Sequence, residues 1–516
     1  MIARTPLVRR LAVAVAGVAV AATALSGCVS ALIPDGATTT GTEPVLDGVP
    51  DELLPIYDQR LEWEACGSGF ECSTVTAPLD WDDLDAGEID LAIIRQPALS
   101  GTSQGSIVTN PGGPGASGID PVLQGYAAGT PLQEEFDIVG WDPRGVGDST
   151  AVRCFDADEM DAYLYDVPAG TRGSDEWQAD LEARAEGFAN ACDANSDGIL
   201  EFITTEQSSR DLDLIRAVLG ETELDYIGYS YGTFLGATYA KNFPERTGRL
   251  VLDGAIDPSA SGEDVGLTQA IGFESALRTY MQACVDGTTG ADCPFTGTVD
   301  DAMGDLSALL SAVDANPLAA ADGRVVGADT VMTGIIAALY NEANWMYLTQ
   351  ALAEALEGDP ATALFLADFY NGRDAGGGYA DNSTEAFNAY NCMDYPAESE
   401  EASAAVEQRI AEEAPTIAPY WSGASVCAYW PFEPTGTRGE IAADGAAPIL
   451  VIGTTGDPAT PYEWAVSLAD QLASGVLLTY EGEGHTAYNG VSDCVNETVE
   501  AFFLDGTVPE DGRVCS

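Results

Sequence analysis

The chain has 516 residues, 46% of them hydrophobic, and its 83 Asp+Glu against 20 Lys+Arg give a formal charge of −63. That length allows roughly three domains, or one large domain with an insertion. The apolar share suffices for a packed core, while the charge repels phosphate backbones and anionic headgroups and so excludes nucleic-acid binding.

Two further counts narrow the chemistry. One histidine, His485, and one lysine, Lys241, leave no three-histidine zinc site. Lys241 is followed by Asn242, so a Gly-Lys-Ser/Thr phosphate loop is absent, and its surroundings carry no motif for lysine-based covalent chemistry. No metal and no cofactor are expected. An acid–base enzyme built on this chain would have to use His485.

Residues 1–27 read as a lipoprotein signal peptide: Arg4, Arg9 and Arg10 precede an apolar run, Leu11 to Leu25, which is too short for a mature span. The ending Leu25-Ser26-Gly27-Cys28 resembles a bacterial lipobox, with Cys28 the acylated new N-terminus. This places the protein on the extracellular face of the cell membrane, touching the membrane only through its lipid. Residues 28–50, rich in Thr, Gly and Pro, read as a flexible tether.

The core follows as short apolar runs ending in turns: Ile107-Val108-Thr109, Phe136 to Val139, Leu224 to Ile227, Arg249 to Leu252, Ile449 to Ile452 and Val476 to Tyr480. Such runs fit buried parallel strands, and the helical periods at 209–219 and 231–243 fit between them. The predicted fold is α/β, with a mostly parallel central sheet. Its first part is expected over 51–258. Residues 259–445 carry mainly helical, Ala-rich stretches (265–286, 299–314, 328–357, 359–370 and 398–413) and read as a large helical cap. Residues 446–516 complete the core. The run Asp193 to Gly198 imitates a calcium loop, but Thr204 stands at its twelfth position and cannot supply the bidentate carboxylate, so an acidic turn is expected.

Setting Cys28 aside leaves Cys66, Cys72, Cys154, Cys192, Cys284, Cys293, Cys392, Cys427, Cys494 and Cys515. An even set in an exported chain suggests disulfides, and nearest-neighbour pairing is the expected connectivity.

The strongest chemical signal is Gly228-Tyr229-Ser230-Tyr231-Gly232, between a strand and a helix. A sharp turn there lifts the serine hydroxyl clear of the sheet, and glycines two positions either side avoid collision with its neighbours. Serine needs a base, and His485 in Glu483-Gly484-His485-Thr486 is the one available. Asp457, after a strand, is the candidate to orient it, with Asp253 the rival acid. The order Ser230, Asp457, His485 is that of α/β-hydrolases. For the oxyanion, the Tyr231 amide and one from Asn110-Pro111-Gly112-Gly113-Pro114-Gly115 are expected, with Gly113 favoured over Gly112. Arg144, in Asp142-Pro143-Arg144-Gly145, reads as structural.

With those motifs in order (110–118, 142–149, 228–233, 456–461 and 484–486), the chain resembles the exported tripeptidyl-aminopeptidase and proline-iminopeptidase-like α/β-hydrolases of Gram-positive bacteria. Pro111 stands where iminopeptidases carry a histidine in their oxyanion loop. The resemblance implies an α/β-hydrolase fold and cleavage of short peptides from a free N-terminus, with esterase activity in some members. It also implies cap acids that bind the substrate ammonium, for which Glu342 and Asp394 are candidates. A carboxylesterase acting on lipid or small acyl esters is the alternative, for which Tyr340, Trp345, Met346, Tyr347 and Leu348 could form an apolar stripe. A non-catalytic solute-binding lipoprotein is the third reading. It would not need Ser230, Asp457 and His485 together.

Overall fold

The computed structural model describes residues 39–516 except 397, 398, 422 and 491. The expected signal peptide, the acylated Cys28 and the first part of the tether lie outside the described residues.

Strands β1 (Thr39–Thr40), β2 (Glu62–Gly67), β3 (Phe70–Pro78), β4 (Glu88–Gln96), β5 (Ser106–Asn110), β6 (Asp137–Trp141), β7 (Leu224–Tyr229) and β8 (Thr247–Asp253) form the first part of one sheet. A small hairpin, β9 (Leu318–Ala319) and β10 (Val325–Val326), stands apart from it. β11 (Ile449–Gly456), β12 (Gly475–Glu483) and β13 (Arg513–Cys515) complete an 11-stranded sheet in the order β1-β2-β3-β4-β6-β5-β7-β8-β11-β12-β13. Pairing is antiparallel from β1 through β4 to β6 and parallel from β6 onward. This is the α/β-hydrolase fold.

The parallel strands are buried on both faces, as their continuous apolar runs require. In β11, Ile449 and Val451 enter one hydrophobic cluster while Leu450 and Ile452 enter the cluster on the other face. The first half of the antiparallel β4 alternates instead. In β4, Ile89 and Leu91 are buried between exposed Glu88 and Asp90.

Helices α1 (Thr205–Val218) and α2 (Tyr231–Asn242) cover one face. Between β8 and β11 the chain builds a second, helical body with its own core. It comprises α3 (Gly262–Val285), α4 (Val299–Ala315), α5 (Ala328–Leu339), α6 (Trp345–Glu357), α7 (Ala361–Tyr370) and α9 (Glu400–Glu413). Between α7 and α9, helix α8 (Ser383–Asp394) behaves differently: its Ala386, Ala389, Tyr390 and Met393 pack into the sheet's core. So do Val426, Trp430 and Ile441, and the Cys392–Cys427 disulfide ties this segment to α8.

The helical stretch expected over 328–357 is two helices. Asn341 leaves helical geometry (φ −149°, ψ 126°), its side chain accepts from the Ala343 amide at 2.9 Å, and a single 3₁₀ turn precedes α6. Helices α10 (Tyr462–Gln471) and α11 (Asp493–Asp505) close the C-terminal part. Five disulfides join Cys66–Cys72, Cys154–Cys192, Cys284–Cys293, Cys392–Cys427 and Cys494–Cys515. Among the described residues no helix is long and apolar enough to cross a membrane.

Candidate active site

The parallel strands end on one side of the sheet, and their last residues deliver the site. β7 runs into Ser230, which adopts φ 55°, ψ −124°, a conformation a side-chain-bearing residue holds only under constraint. Its amide donates to the Asp253 carbonyl at 2.9 Å, and its carbonyl accepts from the Thr233 amide and hydroxyl at 2.9 and 2.6 Å. The turn needs its glycines. A Cβ on Gly232 would lie 2.7 Å from the Asn110 carbonyl oxygen.

Asp457 follows β11 and is buried. Its carboxylate meets His485 Nδ1 at 3.0 and 2.9 Å. The same carboxylate accepts from the Ala459 and Thr460 amides, each at 2.9 Å, and from the Thr460 hydroxyl at 2.9 Å. The Thr486 amide donates to it as well, at 3.3 Å, and together these donors fix its plane, so the imidazole has one orientation to follow. Burial acts to lower the His485 pKa, but the charge and hydrogen bond of Asp457, with the Asp253 charge, outweigh it and hold the imidazole above its ordinary value. Among the described residues no hydrogen bond joins Ser230 Oγ to the imidazole. Such contacts often tighten only with substrate in place.

Asp253, the rival acid, does something else. Its fully buried carboxylate accepts the Ala487 amide at 3.0 Å and the Tyr488 amide at 2.8 Å, pinning the loop that carries His485. Burial pushes this carboxyl up to about 6, against the lowering effect of those two amides.

The loop after β5 presses on the elbow. A Cβ on Gly112 would sit 2.5 Å from the Tyr229 carbonyl oxygen and 2.9 Å from Ser230 Cβ. Gly112 therefore serves as the point of close approach, and Gly113 next to it has φ 105° and is exposed. The amides of Gly113 and Tyr231 donate to no group among the described residues, so both are free to bind an anionic oxygen.

Of the two acids expected to bind an ammonium group, Asp394 is occupied. It is 3% exposed and accepts from the Thr205 amide at 2.9 Å and hydroxyl at 2.6 Å; Thr205 Oγ1 in turn lies 2.5 Å from the Tyr231 hydroxyl. This acid anchors the side chain beside Ser230 and faces no open space. Glu342 is exposed on the 3₁₀ turn beside His485's loop. Its charge, added to partial burial, raises the Glu483 carboxyl above its usual range. Of the expected apolar stripe, Tyr340 reaches the site: its carbonyl accepts the His485 amide at 2.8 Å and its ring stands edge-on to the imidazole at 5.4 Å. Trp345 and Leu348 are buried in the helical core, whereas Met346 and Tyr347 are exposed.

A cavity of about 400 Å³ opens at the imidazole, walled by Pro111, Tyr126, Ala127, Tyr229, Tyr488 and Asn341 among others, and none of its lining residues is charged apart from His485 itself. Arg144 is fully buried and forms a bidentate pair with Asp211, both bonds 2.8 Å, while also donating to the Leu79, Phe202 and Pro78 carbonyls. It holds the core and does not face the site.

The sequence reading missed Thr460, Glu483 and the contact of Tyr340 with His485. Thr460 lay within reach: Asp457-Pro458-Ala459-Thr460 has the Asp-to-third-residue spacing at which a side chain caps the following amides.

A strained serine on a strand–helix elbow, with a buried carboxylate–imidazole pair on the strands beyond it, defines a hydrolase of the serine protease and esterase class. Comparison with known proteins narrows this. A model for the α/β-hydrolase fold matches residues 105–292, and one described as TAP-like protein matches residues 414–515. The chain is 36% identical over 532 residues to "Serine protease Hip1" of Mycobacterium tuberculosis, covering 100% of this chain and 99% of that one. It is 35% identical over 486 residues to "Carboxylesterase B" of the same species (90% and 91% covered). It is 29% identical over 478 residues to "Tripeptidyl aminopeptidase" of Streptomyces lividans (88% and 86% covered). The chain belongs to the TAP-like family of α/β-hydrolases.

Proposed function

We propose that this hydrolase is anchored by lipid at Cys28 and cleaves short peptides from a free N-terminus, with Ser230, Asp457 and His485 as its triad. His485 Nε2 takes the Ser230 hydroxyl proton as Oγ attacks the carbonyl carbon. The oxyanion is held by the Gly113 and Tyr231 amides. Asp457 accepts a hydrogen bond from Nδ1–H, stays ionised, and steadies the imidazolium. His485 then returns its proton to the leaving amine, and water, deprotonated by the same imidazole, releases the acyl group.

What supports the peptidase reading is the pair of acids near the imidazole, Glu483 two residues before His485 and Glu342 exposed on the 3₁₀ turn that follows Tyr340, the charge of Glu342 raising the Glu483 carboxyl. A substrate ammonium placed there relieves like-charge repulsion, which a neutral ester cannot do. The uncharged cavity at the imidazole favours a second reading, a carboxylesterase for apolar acyl esters, in keeping with the name of one relative.

A tripeptide anilide with and without an N-acetyl group separates these readings. Cleavage of the free amine alone supports the exopeptidase. Cleavage of neither, with turnover of a short acyl ester, supports the esterase.

A further inference from the structure

Helix α8 comes from the chain between β8 and β11, yet its Tyr390 ring lies 5.6 Å from that of Tyr231, the residue after Ser230. It carries two buried acids. Glu385, in its first turn, accepts from its own backbone amide. Asp394, its last residue, reaches another element. One carboxylate oxygen accepts the Thr205 amide at the start of α1, and the other accepts the Thr205 hydroxyl, whose oxygen lies 2.5 Å from the Tyr231 hydroxyl.

The direction of these bonds is fixed. A carboxylate only accepts, so the single Thr205 hydroxyl proton points at Asp394, and Thr205 Oγ1 accepts from the Tyr231 hydroxyl. Burial pushes the Asp394 carboxyl up to about 6, against the lowering effect of its two Thr205 donors, which leaves it ionised at pH 7.5. Asp394 is itself held in place. Cys392, two residues earlier, is bonded to Cys427, and the Thr435 and Gly436 amides donate to the Met393 carbonyl at 3.1 and 2.8 Å. The returning chain presses close: a Cβ on Gly436 would lie 2.5 Å from Asp394 Cα.

We propose that Asp394 is a positioning residue for catalysis: acting through Thr205 and the Tyr231 hydroxyl, it holds Tyr231 so that its amide points at the oxyanion. The turn needs such a hold. Ser230 has φ 55° and ψ −124°, and a strained conformation persists only where its surroundings over-determine it. One peptide unit carries both the Ser230 carbonyl and the Tyr231 amide. Its carbonyl is held by the Thr233 amide and hydroxyl, at 2.9 and 2.6 Å. Its amide must stay free for substrate and donates to no group among the described residues. The anchor left on that side is the Tyr231 side chain, fixed at its hydroxyl by Thr205 and flanked by the Tyr390 and Phe234 rings. The proposal rests on the reading of Ser230 as nucleophile and the Tyr231 amide as oxyanion donor.

Asp394→Asn keeps the shape and reverses the bonds. Its amide nitrogen donates to Thr205 Oγ1, the Thr205 proton turns to the Tyr231 oxygen, and the Tyr231 proton loses its acceptor. Tyr231→Phe and Thr205→Val break the same link without touching α8, and Thr205→Ser keeps it. At pH 7.5, kcat and KM are measured for the full chain on whichever of a tripeptide anilide and a short acyl ester the wild type turns over. Inhibition by phenylboronic acid is measured beside them, since its boron takes the Ser230 oxygen, becomes tetrahedral and presents an oxygen where the oxyanion forms. Deleting an oxyanion donor lowers kcat about 10²–10³-fold, so a misaimed donor should cost about tenfold or more. That loss is expected in Asp394→Asn, Tyr231→Phe and Thr205→Val, with KM within about twofold of wild type and boronate affinity lowered as far as kcat. Thr205→Ser should stay near wild type, and Asp394→Asn with Tyr231→Phe should lose no more than the worse single change. Turnover by Ser230→Ala overturns the reading of the nucleophile and the proposal with it. An inert Ser230→Ala beside wild-type kcat and boronate affinity in folded Tyr231→Phe and Thr205→Val, whatever their Tm, overturns the proposal alone.

Discussion

Asp457→Asn removes one charge and keeps the shape, so its effect reads the carboxylate–imidazole pair directly. The carboxylate accepts three backbone amides and one hydroxyl besides the imidazole, so no placement of an amide satisfies every neighbour. If the amide nitrogen turns toward His485 Nδ1, the imidazole must accept there. It then carries its proton on Nε2 and cannot take one from Ser230. If it turns away, it faces amides that themselves donate. The equivalent change in a serine protease triad lowers kcat about 10⁴-fold. At about 1.36 kcal/mol per decade, that is a barrier increase of about 5 kcal/mol. The same charge holds the imidazole above its ordinary value. Because the base must be neutral, the acid limb of kcat/KM in the wild type should fall above about pH 6.5, with activity rising as pH rises through it. In Asp457→Asn the limb should move to lower pH. Steady-state rates on an activated ester from pH 5 to 9 check both effects. A loss below about tenfold with an unmoved limb would refute the orientation argument.

Gly112→Ala should abolish activity and destabilise the fold by about 1–3 kcal/mol, since its Cβ would strike the elbow backbone at a positive φ; thermal melts and rates check this together. Asp253→Ala leaves the Ala487 and Tyr488 amides buried without acceptors, at about 1–3 kcal/mol each, and should lower Tm and kcat together, whereas Asp457→Asn should lower kcat far more than Tm. Arg144→Ala strands a buried Asp211 and should cost about 3–5 kcal/mol, a Tm decrease of about 3–5 °C for a chain this long, with KM unchanged in the surviving folded fraction. Glu385→Gln should behave oppositely. The folded carboxyl titrates near 7 against 4.5 when unfolded, so its contribution favours folding at acid pH and is lost as pH rises through 7. The variant's Tm should match the wild type's at pH 5 and exceed it at pH 8; a difference independent of pH contradicts this.

The parallel half of the sheet was legible because strands buried on both faces must be apolar throughout, as Ile449 to Ile452 are. The antiparallel β2 and β3 and the first half of β4 were not, since their apolar residues come mostly singly, as in Glu88-Ile89-Asp90-Leu91; only Leu91 to Ile94 at the end of β4 runs continuously. Local turn chemistry exposed the elbow around Ser230 and the glycine loop beside it. What sequence could not reveal depends on distant partners. Asp253 meets Ala487 across 234 positions, and Asp394 meets Thr205 across 189, so neither acid's occupation by backbone amides could be read from its neighbours. The break at Asn341 hid inside an Ala-rich helical pattern, because one polar side chain capping its own turn outweighs a propensity sum over the flanking residues.

The central claim is that Ser230 is the nucleophile. The direct measurement is kcat of Ser230→Ala on a tripeptide anilide and on a short acyl ester, with the melting temperature as a check on folding. The account predicts a loss on the order of 10⁶-fold on whichever substrate the wild type turns over, at an unchanged Tm. Near-wild-type turnover by the folded variant would contradict it.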